Sequence, residues 1–436
     1  MELMDPMVAG WIFLGVFAVL LVVGVPIGIA MALAGVGGFA CIVGPSAALG
    51  KVAITPFSTM TDYAFTVVPA FILMAQIFLV SGLGTQLFTA AEKWLGHFRG
   101  GLALATIIAC AVFAAISAST VATAVTIGLV ALPEMLRRQY DARLASGSVV
   151  SGGGLGVLIP PSSILILYGL IAQQSIRDLF MAGIVPGLIL AGAYCVVIAV
   201  VCKLNPSLAP PGQSYPLREK IASLRGTVEI VALLVLSLGG LFAGWFTPTE
   251  AGAVGASGAI ILALLRRRLT WKGFTQAAVQ TVSSTGMVVL ILIGAFIFNY
   301  FAAATNIPQE LVARITALNL PPLTIMLIIT AVYLLLGICL DSLSMVLLTI
   351  PFIYPLATAL GYDPVWFGVY LVLVFQMAEI TPPIGMNLYV VSGLVKGLQL
   401  ETVFRGMFPF LIAQVAVTLL LLFCPQLALF VPNLLR

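Results

Sequence analysis

The chain has 436 residues, of which 61% are hydrophobic and 8% charged, with a net charge of +4. A mean hydropathy of +1.19 is more than a water-soluble domain can hide, which excludes soluble classes and points to a polytopic membrane protein. The small positive balance fits basic loops between spans and not a nucleic-acid surface.

Residue types narrow the chemistry further. Cys41, Cys110, Cys195, Cys202, Cys339 and Cys424 are scattered through apolar segments without C-x-x-C spacing, so neither a disulfide framework nor a cysteine metal site is expected. His97 is the only histidine, and no H-E-x-x-H motif exists, so an enzyme is not expected. No organic cofactor is implied. The glycine run at 152–156 lacks the Lys-Ser/Thr of a phosphate loop and reads as close helix packing.

Taken in order, residues 7–23 and 25–44 read as spans separated by the breakers Gly24 to Pro26. The opening segment carries Asp5 and Glu2 but no base, so the first span is expected to be an uncleaved helix. A loop holding Lys51 leads to a span at 62–81, and 87–98 reads as a short interfacial amphipathic helix. Residues 100–138 are too long for one span and too short for two. The polar knot Ser117 to Thr120 at their middle predicts a re-entrant hairpin with that knot at its tip. Residues 144–174 form a span broken at Pro160-Pro161, because proline removes an N–H and clashes with the preceding turn. A span at 180–202 and a polar loop at 203–225 follow.

The order then repeats. Spans at 227–245 and 251–265, a long helix at 271–301 and an amphipathic piece at 308–318 precede a second hairpin at 321–361, with Leu340 to Ser344 at its tip. A second broken span at 365–395, interrupted at Pro382-Pro383, and a span at 403–423 close the chain. Pro161 pairs with Pro383 and Pro186 with Pro409 at nearly the same offset, so the two halves repeat one architecture. The expected units are 1–99 and 227–320 for scaffold helices and arms, 100–202 and 321–436 for hairpin, broken helix and closing span, and 203–226 for the loop between them.

Basic residues orient the repeats. With the N-terminus outside, only Lys51, Arg177, Arg314 and Arg436 among the Lys and Arg residues fall outside, as the positive-inside rule requires. The first hairpin then enters from the cytoplasm and the second from the opposite side, making the repeats inverted. Two membrane helices broken at matching points in two halves mark a transporter's binding site.

A broken helix exposes carbonyls at one half-helix end and N–H groups at the other. Ser162, Ser163, Thr381 and Asn387 add neutral oxygens at the breaks, and the tips supply Ser117, Ser119, Thr120, Ser342 and Ser344 with one carboxylate, Asp341. Such a donor set, poor in carboxylates, suits Na⁺ and not Ca²⁺. Asp341 and Glu379 are expensive in lipid and are functional candidates for that reason, whereas Glu134, near Arg137 and Arg138, reads as an interfacial ion pair.

The blocks GGGLGVLIPPSSILILYG (152–169), SIRDLFMAGIVPG (175–187), GWFTPTEAGAVGA (244–256) and DPVWFGVYLVLVFQMAEITPPIGMNLYVVSG (363–393) resemble the large membrane subunit of TRAP transporters, the tripartite ATP-independent periplasmic uptake systems. The resemblance covers essentially the whole chain. It implies an all-α, inverted-repeat, elevator-type transporter with two hairpins and two broken helices in a bacterial inner membrane. It also implies Na⁺ as coupling ion, an organic-acid cargo such as a C4-dicarboxylate or sugar acid, and two partners: a small four-helix membrane subunit and a periplasmic substrate-binding protein. Transferred by position, a first Na⁺ site involves Ser117, Ser119, Thr120, Gly156, Ile159 and Ser162, and a second involves Gly337, Asp341, Ser342, Ala378, Thr381 and Ile384. Cargo is expected near Ser163, Ser344 and Asn387. The alternative within transporters is a self-sufficient Na⁺/divalent-anion symporter of a related elevator fold. One departure is the second tip, which lacks the proline that relatives often place beside its acidic residue.

Overall fold

The computed structural model describes residues 4–338, 340–381 and 385–435. Their extended structure amounts to one bridge between Arg99 and Pro211; the rest is helix and connection. Eight helices among them are long and apolar enough to cross a membrane.

The first half contains α1 (Pro6–Val22), α2 (Ile27–Val43), α3 (Pro45–Thr61), α4 (Val67–Ser81) and α5 (Thr85–Leu95). Asp5 caps α1 by accepting from the N–H groups of Met7 and Val8, and Pro6 occupies N1, where the missing N–H costs nothing. The expected break after α1 is present, with Gly24 at φ +88°. Then come the hairpin of α6 (Gly101–Ser117) and α7 (Thr120–Arg137), and the broken pair α8 (Ala142–Gly154) and α9 (Ser163–Ala172), before α10 (Ile176–Leu204).

The second half repeats this with α11 (Leu217–Phe242), α12 (Pro248–Leu265), α13 (Trp271–Ala304) and α14 (Ile307–Ala317). Its hairpin is α15 (Pro322–Leu336) and α16 (Ser342–Ala359), and its broken pair is α17 (Pro364–Ile380) and α18 (Met386–Ser392). The chain continues into α19 (Leu400–Phe423) and α20 (Gln426–Leu435).

Three expectations need correction. The segment around Lys51 is a helix, α3, and not a loop; Pro45 starts it at N1, and Lys51 Nζ sits 4.0 Å from the centre of the Tyr300 ring. Its Ser, Thr and Pro content hid it, because neighbouring helices rather than propensity hold it in place. α11 begins at Leu217, inside the expected loop, since an initial charged turn can stand in water and still continue into a span. α20 lies beyond the last expected span.

Packing between the halves is reciprocal. α2 packs on α13 and its counterpart α12 packs on α4; α8 packs on α19 and α17 on α10; α7 packs on α18 and α16 on α9. Exchanging the halves turns each pair into the other, the signature of repeats related by a two-fold axis. Small residues permit the closest approaches: a Cβ on Gly28 of α2 would come within 2.8 Å of Leu290 O and Ile291 Cα on α13.

The broken helices lie deepest. Val365 to Ala378 of α17 are all buried, as are Leu144 to Gly154 of α8. Tyr194 of α10 donates its hydroxyl to Gln414 Oε1 of α19 at 2.9 Å in that interior. Irregular backbone at membrane depth is thus enclosed by protein, which satisfies polar groups that lipid would leave bare. Lipid-level apolar side chains are displayed by the other helices, for example Val228 and Val235 on α11 and Val279 and Val282 on α13.

Candidate functional site

The first tip is narrower than the sequence indicates. α6 runs through Ser117, Ala118 takes a left-handed conformation (φ 50°), and extended Ser119 caps α7 by accepting from Ala122 N–H at 3.3 Å. The Ser117 hydroxyl pairs with Thr123 Oγ1 at 2.6 Å, and Thr123 Oγ1 donates to the Ser119 carbonyl at 2.8 Å. The first break folds against this knot. Helix α8 tightens into a 3₁₀ turn at Leu155–Val157, and a Cβ on Gly156 would come within 2.8 Å of Thr123 Oγ1. Ser162 caps α9, accepting from Leu165 N–H at 3.3 Å and donating to the Val157 carbonyl. Ser163 donates to the Ala118 carbonyl at 2.9 Å. The Ile159 side chain faces Gly187 of α10.

The second tip meets the second break in the corresponding way. Gly337, the C-cap of α15, lies against Ala378 of α17. Asp341 is the N-cap residue of α16 and accepts from the Ser344 hydroxyl. Ser342 donates to Glu379 Oε1 at 2.5 Å. Thr381 closes α17 and returns its hydroxyl to the Met377 carbonyl at 2.6 Å. Ile384, Pro382 and Pro383 lie outside the described residues.

Both tips, the first break and the helix ends that flank the second, at Glu379 and Met386, meet at one cavity of about 490 Å³. Ser119, Thr120 and Ser163 reach it from the first half and Asp341, Ser342, Ser344 and Glu379 from the second. Pro26 to Gly28 of α2 and Met287, Leu290 and Ile291 of α13 form its opposite wall. Of the three expected cargo contacts, Ser163 and Ser344 line this space. Asn387 does not: it is fully buried, and neither amide atom has a hydrogen-bond partner among the described residues. The wall from α2 and α13 escaped sequence reasoning, because apolar residues there read as ordinary membrane helix. Glu379 was singled out by its cost in lipid but not placed in a site, since its spacing shows no ligand pattern.

Outside the cavity, Glu134 accepts from Arg137 at 2.8 Å and from Arg138 at 2.6 Å, the ion pair expected from sequence. Arg138 also bonds Glu92 of α5, which ties the base of the first hairpin to the arm.

Residues 14–427 match the family described as "Tripartite ATP-independent periplasmic transporter, DctM component". The chain belongs to this family. It is similar to the C4-dicarboxylate TRAP transporter large permease protein DctM of Pseudomonas aeruginosa, at 34% identity over 88% of this chain and 89% of that one. It also resembles the sialic acid large permease SiaM of Vibrio cholerae, at 34% identity over 86% and 87% of the two chains. The ectoine/5-hydroxyectoine large permease UehC of Ruegeria pomeroyi is 31% identical over 95% and 97%. Among solved structures, the fold is that of the Alcanivorax borkumensis YdaH transporter, with a TM-score of 0.64, 14% identity, and coverage of 87% and 89%. This large permease is therefore a transport protein of the TRAP class that crosses the membrane several times.

Proposed function

We propose that this large permease carries a small organic acid into a bacterial cell by Na⁺-coupled secondary transport, working with a small four-helix membrane subunit and a periplasmic substrate-binding protein. The observation that carries this reading is the meeting of both hairpin tips, the first helix break and the helix ends flanking the second at one cavity between the halves. Relatives named for C4-dicarboxylates and sialic acid support an organic-acid cargo.

The donor sets fit Na⁺. At the first tip, the Ser119 carbonyl, the Thr120 hydroxyl and backbone near Gly156 offer neutral oxygens. At the second, Asp341, the Thr381 hydroxyl and carbonyls around Gly337 and Ala378 add one carboxylate. Hard neutral oxygens with few charges select a monovalent hard cation. An ion bound there holds tip to break, which would close the cavity floor around the cargo. The tip-and-break unit then slides along the wall of α2 and α13 as an elevator. Each Na⁺ entering through 100 mV releases ~2.3 kcal/mol from the potential alone. The distribution of Lys and Arg supports an N-terminus on the periplasmic side.

The test is the thermal midpoint of the purified protein titrated with NaCl against choline chloride at constant ionic strength. A Na⁺-specific rise, weakened in Ser119→Ala and Thr381→Ala, is the expected result. A ligand at 100 times its Kd adds ~2.7 kcal/mol, which is readily measured. Equal midpoints in the two salts, with the small subunit present, would remove Na⁺ from the reading.

A further inference from the structure

A separate cavity, of about 320 Å³, opens where the arm α5, the start of α11 and the end of α12 converge. Two bases line it, Lys93 of α5 and Arg266 at the C-cap of α12, together with Gln86, Ser223 and Gly226, and no acid does. Both bases have carboxylate neighbours outside the lining. Lys93 lies 3.5 Å from Glu219, and Arg266 donates from Nη2 and Nε to Glu229 at 2.6 and 2.9 Å. These pairs are partly open to solvent, and pairs of that kind contribute little, so an incoming anion can draw on either base. Arg266 Nη1 has no partner among the described residues. Gln86 turns its amide oxygen to Arg268, which donates at 2.9 and 3.2 Å, and so directs its NH₂ group towards Gly226 and the cavity. Lys93, Arg266 and Gln86 therefore bring donors from two helices and a helix end to one small space.

The surroundings favour an anion that is also a lipid. Lys220, Arg225, Arg267, Arg268 and Lys272 stand at this same end of the molecule without an ion pair among the described residues. Their uncompensated charge attracts an anionic surface. The rim is apolar where it meets the bilayer: Ile221 and Val228 of α11 and Leu265, next to Arg266, are exposed. Trp94 on α5 and Trp271 at the start of α13 are exposed at the same end, as interfacial aromatic residues are. A free anion would find the donors but leave the apolar rim unused. A phospholipid fills both, with its phosphate in the cavity and its acyl chains along the rim.

We propose that this cavity binds the phosphate of an anionic phospholipid through Lys93, Arg266 and the Gln86 amide. The headgroup then ties the arm α5 of the first half to α11 and α12 of the second. Through the Glu92–Arg138 pair the same arm holds the base of the first hairpin, so the lipid steadies the element from which the hairpin is hung.

The experiment adds phosphatidylglycerol, phosphatidylcholine with the same acyl chains, or inorganic phosphate to the delipidated full chain in detergent. It reads the thermal midpoint and, by native mass spectrometry, the lipid retained. Phosphatidylglycerol is expected to raise the midpoint and stay bound, and the other two to do neither. Lys93→Gln combined with Arg266→Gln, checked for a monodisperse size-exclusion profile, is expected to weaken phosphatidylglycerol about tenfold or more, because each base near an anionic surface contributes about fivefold. Arg314→Gln, on α14 at the far end of α13, replaces an exposed base paired with Glu310 and is expected to change nothing. Equal stabilisation by phosphatidylglycerol and phosphatidylcholine would overturn the site, and so would an undiminished phosphatidylglycerol effect in the double variant. The full effect from inorganic phosphate alone would overturn the lipid as occupant. Should the double variant not fold, Lys93→Gln alone carries the test: a loss of about fivefold supports the site, and no loss overturns it.

Discussion

Ser163 donates its hydroxyl to the carbonyl of Ala118 at 2.9 Å, across 45 residues of sequence. This bond fastens the first residue of α9 to the left-handed residue at the first hairpin tip, so break and tip hold each other's geometry. Ser163→Ala leaves that carbonyl without its donor. A buried acceptor left unpaired costs about 1–3 kcal/mol. The expected outcome is a lower thermal midpoint together with a weaker response to NaCl. A midpoint lowered with an unchanged Na⁺ response would mean that the latch is structural only.

Gly156 is a second point where the tip and break touch. A methyl added there would lie 2.7 Å from the Ser119 carbonyl carbon and 2.8 Å from Thr123 Oγ1, so the first tip must move. Overpacking of this kind costs about 1–3 kcal/mol. Gly192 of α10 is the control, because a methyl there meets nothing within 4 Å. Uptake into proteoliposomes holding the full complex should collapse for Gly156→Ala and persist for Gly192→Ala, whose stability should rise slightly through reduced unfolded-state entropy. Normal uptake by Gly156→Ala would show that the tip tolerates displacement.

The hydrogen bond from Tyr194 to Gln414 Oε1 joins α10 to α19, the closing spans of the two halves, in a fully buried setting. Gln414 Nε2 in turn donates to the Leu373 carbonyl of α17 at 3.2 Å. Tyr194→Phe strands Gln414 Oε1 and is expected to destabilise by about 1–3 kcal/mol. Tyr194→Phe combined with Gln414→Leu removes both polar ends and should recover part of that loss, though Leu373 O then loses its donor. Unfolding of both single variants, the double variant and the wild type in detergent checks the order of midpoints. A double variant less stable than the sum of its single changes would contradict the pairing.

Much of the fold was legible in the sequence because its strongest signals are local and absolute. A Pro-Pro pair interrupts a helix whatever surrounds it, a run of ~20 apolar residues must leave water, and Ser117 to Thr120 interrupt an apolar stretch too long for one span. Those signals located both hairpins, the first break, the short helices α5 and α14 and the repeat of the two halves, and they pointed to the tips and breaks as the place where chemistry collects. Helix α3 and the early start of α11 were missed for the converse reason: their stability comes from the helices they pack against, which composition does not reveal.

What only the tertiary structure decided is which of these polar groups share a space. Thr120, Ser163, Ser344 and Glu379 are separated by up to hundreds of residues yet line one cavity, whereas Asn387, in the same motif as Glu379, is turned into the interior. The apolar wall of α2 and α13 carries no sequence mark at all, since Ile27, Leu290 and Ile291 look alike whether they face lipid, protein or cargo. Sequence determined where the backbone must break, because that is set by covalent geometry. The direction in which a side chain points from the break depends on how two distant halves pack, and that is a property of the folded chain.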